Sequence, residues 1–405
     1  MKMNTTGALF AVFLGALAAL PPLSIDMALP ALTRIGHDLH AAPDLAGLTL
    51  SLFMAGFALS PFFYGPLSDR YGRKPLLLIG LCLFTLGGIA ATLAPSMPEL
   101  LGARLVQGLG AGAGMTLAMA MVRDAFEGPQ VQSRLAVITV VANIAPIIAP
   151  ALGAAMLGLG GWRGIYAVTA ACGVLLWGCT WVGLQETARL VPGPKPPFMG
   201  KLIHGYREVL GHRSTLLHIL INALGFGWMF AYVSGSPLVL IGQLHVSSAL
   251  YTLLFACTGA GIAAGATLSG WLAKRNVAAS TLMLVAAVLA LVVSLAAMGL
   301  VWVDRLQVLT LMPLLVIATA AFGLLAPCAA HGALEGLPKL AGITGGLLTS
   351  VQMLAGALSS LSVSLLFARL GALGMSLTMA GCAFLALCLV LCTIARREPS
   401  AEAAR

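Results

Sequence analysis

A chain of 405 residues that is 60% hydrophobic and only 9% charged carries more apolar side chain than one soluble core of that length buries. With a mean hydropathy of +0.99 it reads as a polytopic membrane protein. The apolar runs are continuous, about twenty residues each and rich in Ala, Leu and Gly, so they are helices and not the short alternating strands of a barrel. The formal charge of +9 does not indicate nucleic acid, because the basic residues are scattered through short loops and form no long stripe.

Twelve apolar segments follow one another: Gly7 to Leu29, Leu45 to Leu67, Pro75 to Ala94, Glu99 to Val122, Leu135 to Leu159 and Gly164 to Leu184, then Leu216 to Leu240, Leu250 to Leu272, Ser280 to Val303, Val308 to Leu325, Gly345 to Leu366 and Leu373 to Ile394. The start, Met1 to Leu20, has Lys2 ahead of an apolar run as a signal peptide does, but no polar mature domain follows, and a retained first helix is expected. The organisation is a six-helix bundle over 1–188, a cytoplasmic linker over 189–213 and a second six-helix bundle over 214–405. Pro192, Pro194, Pro196 and Pro197 mark the linker, and Leu202, Ile203, Tyr206, Val209 and Leu210 at helical spacing predict an amphipathic helix on the membrane surface.

An even number of crossings puts both termini on one side. Arg34, Arg163, Arg305 and Arg369 are the basic residues of the opposite loops; every other loop Lys and Arg, from Lys2 through Arg70, Arg73, Lys74, Arg123, Lys274 and Lys339 to Arg405, lies on the side of the termini. That side is the cytoplasm by the positive-inside rule. The eight cysteines all fall within apolar segments without a CxxC pair, so they read as small apolar side chains and not as disulfides or metal ligands. Met115 and Met119, one helical turn apart, read as packing and not as soft-metal ligands.

The stretch from Gly65 to Pro75 concentrates Asp69, Arg70, Arg73 and Lys74 between two apolar segments, as a short charged loop on a membrane surface. Gly65 and Gly72 are expected to permit a tight turn, and Asp69 to meet the positive end of a helix. A degenerate copy, Gly270-Trp271-Leu272-Ala273-Lys274-Arg275, follows segment eight with Lys274 in the acidic position, which suggests two duplicated halves.

Asp26 lies near the outer part of segment one between Pro21-Pro22 and Pro30, which are expected to interrupt the helix and free backbone groups for a polar cavity. A carboxylate within a membrane costs roughly 2.5 to 3.5 kcal/mol on insertion scales and usually marks an ion or substrate path. The expectation is that Asp26 takes up a proton in one state and releases it in another; the alternative is an interfacial Asp reaching outer water. Arg104, about 8 Å of helix rise below Glu99, is the intramembrane cation at comparable depth, expected to meet Asp26 directly or through water; the alternative is a static ion pair that fixes packing. Gln107, Asn143, Asn222, His331 and Gln352 are candidate cavity-lining polar groups, or else helix-to-helix hydrogen bonds.

Taken together, Gly65-x-Leu67-Ser68-Asp69-Arg70-x-Gly72-Arg73-Lys74 matches the signature loop of the major facilitator superfamily, and Arg104-x-x-Gln107-Gly108-x-Gly110-Ala111 resembles its second motif. Asp26 to Pro30, Arg123-Asp124, Trp162-Arg163 and Ser234 to Leu240 are similar to the Bcr/CflA group of drug/proton antiporters. Asn143 to Ala154, with Pro146, Pro150 and Gly153, resembles the antiporter motif of segment five, with Ala145 and Ala149 where glycines are expected. The resemblance implies an all-α membrane fold, two six-helix bundles related by pseudo-twofold symmetry around a central cavity. It implies a latch built on Gly65, Asp69, Arg70, Gly72 and Arg73 that holds the halves together on the cytoplasmic side.

The function expected is proton-coupled efflux of small, largely hydrophobic drugs, phenicol- or bicyclomycin-like, across the inner membrane by alternating access. Phe53, Phe57, Phe62, Tyr64, Trp228, Phe230, Tyr232 and Phe255 are candidates for an apolar binding surface. The partners expected are protons, a small hydrophobic or cationic substrate and the lipid bilayer, with no nucleic acid, cofactor or metal, and the chain is expected to act as a monomer. No phosphate-binding glycine loop, no HExxH and no soluble region large enough for a catalytic domain appears in the sequence, so it is not read as an enzyme. A proton-coupled nutrient symporter and a membrane receptor or scaffold are the alternatives.

Overall fold

Lipid offers no partner to a backbone amide, so each apolar run must close its own hydrogen bonds. The computed structural model describes residues 7–41, 43–126, 129–188, 198–337 and 340–395, and every regular element among them is helical. The chain forms α1 (Ala8–Asp26), a 3-10 turn (Leu29–Ala31), α2 (Leu32–Asp38), α3 (Pro43–Tyr71), α4 (Arg73–Leu93), α5 (Met97–Ala125) and α6 (Pro129–Gly183). It continues with α7 (Phe198–Gly211), α8 (Arg213–Ser236) extended by a π-helical stretch (Pro237–Gln243), α9 (Ser248–Lys274), α10 (Ala279–Trp302), α11 (Val308–Glu335), α12 (Ala341–Leu370) and α13 (Ala372–Ala395).

Eleven helices among the described residues are long and apolar enough to cross a membrane. One of them, Ser133–Gly183, has 51 residues; at about 1.5 Å per residue it is more than twice the ~30 Å hydrocarbon thickness. Gly161, at φ 66° and ψ −169°, breaks it into two helices. Each of the two is long enough for one crossing, so the described residues have the length for the twelve crossings expected from the apolar segments.

The chain divides into two compact units, Met1–Phe198 and Met199–Arg405. In the first, α5 packs against α3 and α4, and α1 against α6. Small residues let the backbones touch: a Cβ on Gly108 would lie 2.8 Å from the carbonyl carbon of Phe53, and one on Gly110 would lie 2.7 Å from the Cα of Phe84. In the second unit α9 and α11 meet in the same way through Gly265 and Gly323, as small-residue contacts do in membrane bundles. Val209 and Gly205 seat α7 on its own unit, with Gly205 beside Ile343.

Two local expectations are corrected. The Gly65–Pro75 stretch is not a loop: α3 continues through Gly65 to Tyr71, Gly72 donates its N–H to the Ser68 carbonyl at 3.0 Å, and α4 starts at once. The turn is the single residue Gly72, whose φ of 99° is a region that L side chains avoid. Likewise Pro21 and Pro22 do not interrupt α1, which continues to Asp26. Prolines are tolerated within membrane helices because neighbouring groups take up the freed carbonyls; the Leu17 carbonyl, which Pro21 deprives of its donor, faces Gly114 of α5. The proline-rich linker, the side chain of Asn143, and the basic residues Lys2, Lys339 and Arg396 onward lie outside the described residues.

Candidate functional site

The break that the sequence placed around Asp26 falls just after it. Ala28 donates to Ile25 and not to Ser24, so the Ser24 carbonyl is left without its helical donor. Arg104 of α5 fills that role, its Nη2 donating to Ser24 O at 2.9 Å. Its Nη1 donates to Gln107 Oε1 at 2.5 Å and its Nε to Thr49 O at 3.4 Å. The guanidinium lies 4.3 Å from the Phe53 ring centroid and 5.2 Å from that of Tyr166, where aromatic faces attract a desolvated cation. Gln107 Nε2 donates to Thr169 Oγ1 at 3.2 Å, and that hydroxyl donates to Tyr166 O. One hydrogen-bonded chain thus joins α1, α3, α5 and the second half of α6.

Arg104 is 0% exposed and Asp26 5%. Among the described residues no carboxylate approaches the guanidinium within ion-pair distance, and no donor or cation pairs with the Asp26 side chain. Of the two arrangements expected, direct or through water, the direct contact is absent, for a geometric reason: the bond to Ser24, two residues before Asp26, ties Arg104 to the backbone at the end of α1. The segment-five motif reaches the same place. Gly153 lies against the Met27 carbonyl, whose carbon is 2.8 Å from where a Cβ would stand. Pro146 and Pro150 remain within α6, with Ala145 and Ala149 buried.

A second cluster lies at the Gly72 end of the same unit. The buried Arg73 guanidinium bonds Asp124 through Nε at 2.8 Å and Nη2 at 3.4 Å, Ser68 Oγ at 2.6 Å and Asp69 at 2.5 Å. Glu186, just past α6, accepts the N–H groups of Arg73 at 2.8 Å and Lys74 at 3.2 Å, the free amides of the first turn of α4. Lys74 Nζ returns the contact, donating to the Trp181 and Leu184 carbonyls at the end of α6. Asp69 is 61% exposed on its side chain, and the Arg70 guanidinium lies 5.6 Å from the Tyr71 ring. The sequence reading did not single out Glu186; an acid directly after an apolar segment, in a chain with only 13 Asp and Glu, was the signal available.

In the second unit Asn222 Nδ2 donates to Gln352 Oε1 at 3.0 Å between α8 and α12. Trp228 Nε1 donates to the Ala318 carbonyl at 3.1 Å, and Tyr232 shares a hydrogen bond of 2.6 Å with Thr258 while stacking on Phe255. The aromatic candidates Phe53, Phe57, Tyr64, Trp228, Phe230, Tyr232 and Phe255 are buried and Phe62 is half-buried. His331 is exposed at the end of α11, 3.7 Å from Glu335. No group of His, Cys, Asp and Glu among the described residues is arranged to hold a metal ion.

An all-helical chain with many crossings and an arginine-centred polar network in its first bundle belongs to the class of multi-span membrane transporters. The family model of the Major Facilitator Superfamily matches residues 12–360, and the chain belongs to that superfamily. It is 35% identical over 275 residues to the uncharacterized MFS-type transporter YdgK of Bacillus subtilis, a match covering 67% of this chain and 68% of that one. It is 29% identical over 384 residues to multidrug resistance protein D of Escherichia coli, with 93% and 92% covered. The bicyclomycin resistance protein homolog of Haemophilus influenzae is 29% identical over 242 residues, with 60% and 61% covered. Among solved structures, an inward-facing bacterial homologue of the lysosomal transporter Spinster superposes with a TM-score of 0.76 at 16% identity, covering 96% of this chain and 97% of that one. The Escherichia coli xylose transporter XylE gives 0.69 at 14%, with 95% and 97% covered. These two likenesses establish the major facilitator fold.

Proposed function

We propose that the protein exports small, largely hydrophobic drugs in exchange for protons across a bacterial inner membrane, by alternating access and as a monomer with both termini in the cytoplasm. The observation that carries this reading is a pair of opposite charges, Asp26 and Arg104, buried in one bundle and brought to the same helix end without being joined. A buried ion without a counter-ion is costly, so each is poised to change partner. In the proposed cycle Asp26 binds the proton, Arg104 responds to its charge through Ser24, and Gln107 and Asn143 complete the polar path. The resistance proteins among the relatives support drugs as the substrate class. The antiporter-like Pro146, Pro150 and Gly153 support exchange over symport.

At the other end of the bundle, Gly65, Asp69, Arg70, Gly72 and Arg73 serve as the conformational latch, with Asp69 as its exposed acid. Phe57, Trp228, Tyr232, His331 and Gln352 are proposed to contribute to substrate binding with Phe53. The test uses inverted vesicles: drug addition dissipates an imposed acid-inside gradient in the wild type, and Asp26→Asn abolishes that response while inserting normally. An unchanged response in Asp26→Asn refutes the coupling role, and no response of the wild type to any drug refutes drug efflux.

A further inference from the structure

The outward surface of α4 carries an apolar stripe with one residue per turn, Ile79, Cys82, Leu86, Ile89 and Leu93, all exposed. On a multi-span chain such a stripe belongs to lipid. Between this stripe and α5 runs a groove of about 560 Å³ lined by Leu86, Leu93, Ala94, Glu99, Gly102 and Val106. Its depth comes from Gly102: a Cβ there would meet nothing within 4 Å, so the missing side chain is open space and not a packing contact. A groove of this size is within the range that small ligands fill. Its rim is charged with both signs. Glu99 is exposed and accepts a hydrogen bond from Ser96 at 3.2 Å. Arg163 is exposed too, and its Nη2 donates to the carbonyl of the lining residue Ala94 at 3.0 Å while its guanidinium stacks on Trp162 at 4.1 Å.

We infer that this α4–α5 groove holds one acyl chain of a zwitterionic phospholipid, a phosphatidylethanolamine, with its ammonium at Glu99 and its phosphate at Arg163. The apolar floor excludes water and matches a hydrocarbon chain. The two rim charges match the two charges of the headgroup, one of each sign, where phosphatidylglycerol would satisfy Arg163 with its phosphate and leave Glu99 without a cation. The inference needs only a membrane-embedded chain and does not depend on drug efflux.

The experiment uses the full-length protein in nanodiscs with phosphatidylethanolamine carrying a mid-chain diazirine. Photolabelling should concentrate on residues 86–106, and Gly102→Leu should lower it there by about fivefold by filling the groove, since surplus chain volume is not accommodated in an occupied site. Because Gly102 faces open space, elution and melting of that variant should stay at wild-type values. Glu99→Gln should remove a preference over phosphatidylglycerol of about threefold, the size of one exposed charge pair. Labelling spread evenly along the α4 stripe and unchanged in Gly102→Leu would mean ordinary annular lipid and overturn the proposal. So would equal labelling by both lipids with no response to Glu99→Gln. Displacement of the label by dodecyltrimethylammonium, with phosphatidylethanolamine unable to compete in return, would assign the groove to a cationic amphiphile instead.

Discussion

Replacing Arg104 with methionine separates a coupling arginine from one that merely fixes packing. If Arg104 were the static partner of Asp26, its loss would strand a buried carboxylate at about 3–5 kcal/mol. The observed contacts give a smaller sum. Thr49 O lies within α3 and keeps its helical donor, and Gln107 Nε2 retains its bond to Thr169. Ser24 O and the buried Gln107 Oε1 each lose their only donor, at about 1–3 kcal/mol apiece. Removing an intramembrane cation returns roughly 2.5–3.5 kcal/mol on insertion scales, and unbranched Met refills the space between Phe53 and Tyr166. At their midpoints the cost and the return differ by about 1 kcal/mol. At about 2–4 °C per kcal/mol, Arg104→Met should melt within about 4 °C of wild type in detergent, while the static-pair account requires a fall of about 6–20 °C. Drug-driven proton flux in inverted vesicles should be lost in the same variant. A large fall in melting temperature, or normal flux, refutes the reasoning.

Gly153→Ala drives a methyl into the Met27 carbonyl beside Asp26. It should cost about 1–3 kcal/mol by overpacking and slow transport, whereas Gly158→Ala, which meets nothing within 4 Å, should melt and transport as wild type. Gly72→Ala combines a φ of 99° and ψ of 155° with a collision at Glu186, whose Cδ lies 2.9 Å from the new Cβ; the strain of that glycine-only backbone region alone is about 1–3 kcal/mol, read as a lower melting temperature. Asp69→Asn removes an exposed ion pair worth less than about 1 kcal/mol, because Asp124 still holds Arg73, so insertion, melting and drug binding should persist while transport slows. Equal transport rates would reduce Asp69 to a topological anchor.

Asp26 and Arg104 were legible in the sequence because an ionised side chain inside an apolar segment is rare and costly. Their partners were not. Whether Ser24 O is available depends on where α1 breaks, and the break falls after Asp26 although Pro21 and Pro22 precede it. The charged motif was equally plain, yet its turn contracts to Gly72, and the residues that complete it, Asp124 and Glu186, come from 51 and 113 positions beyond Arg73. Separations of that kind leave no periodic trace.

By itself the sequence determined the membrane class, the helical crossings and the charges that cannot be idle there, since hydropathy and the cost of a buried ion are properties of residues read one segment at a time. Only the tertiary structure decided which backbones touch: Gly108 on Phe53, Gly153 on Met27, and Arg104 on a carbonyl and two aromatic faces instead of on Asp26. Those contacts are set by close approach of distant helices, and a missing Cβ at 102 or 153 becomes an open groove or a tight contact only when its neighbour is known.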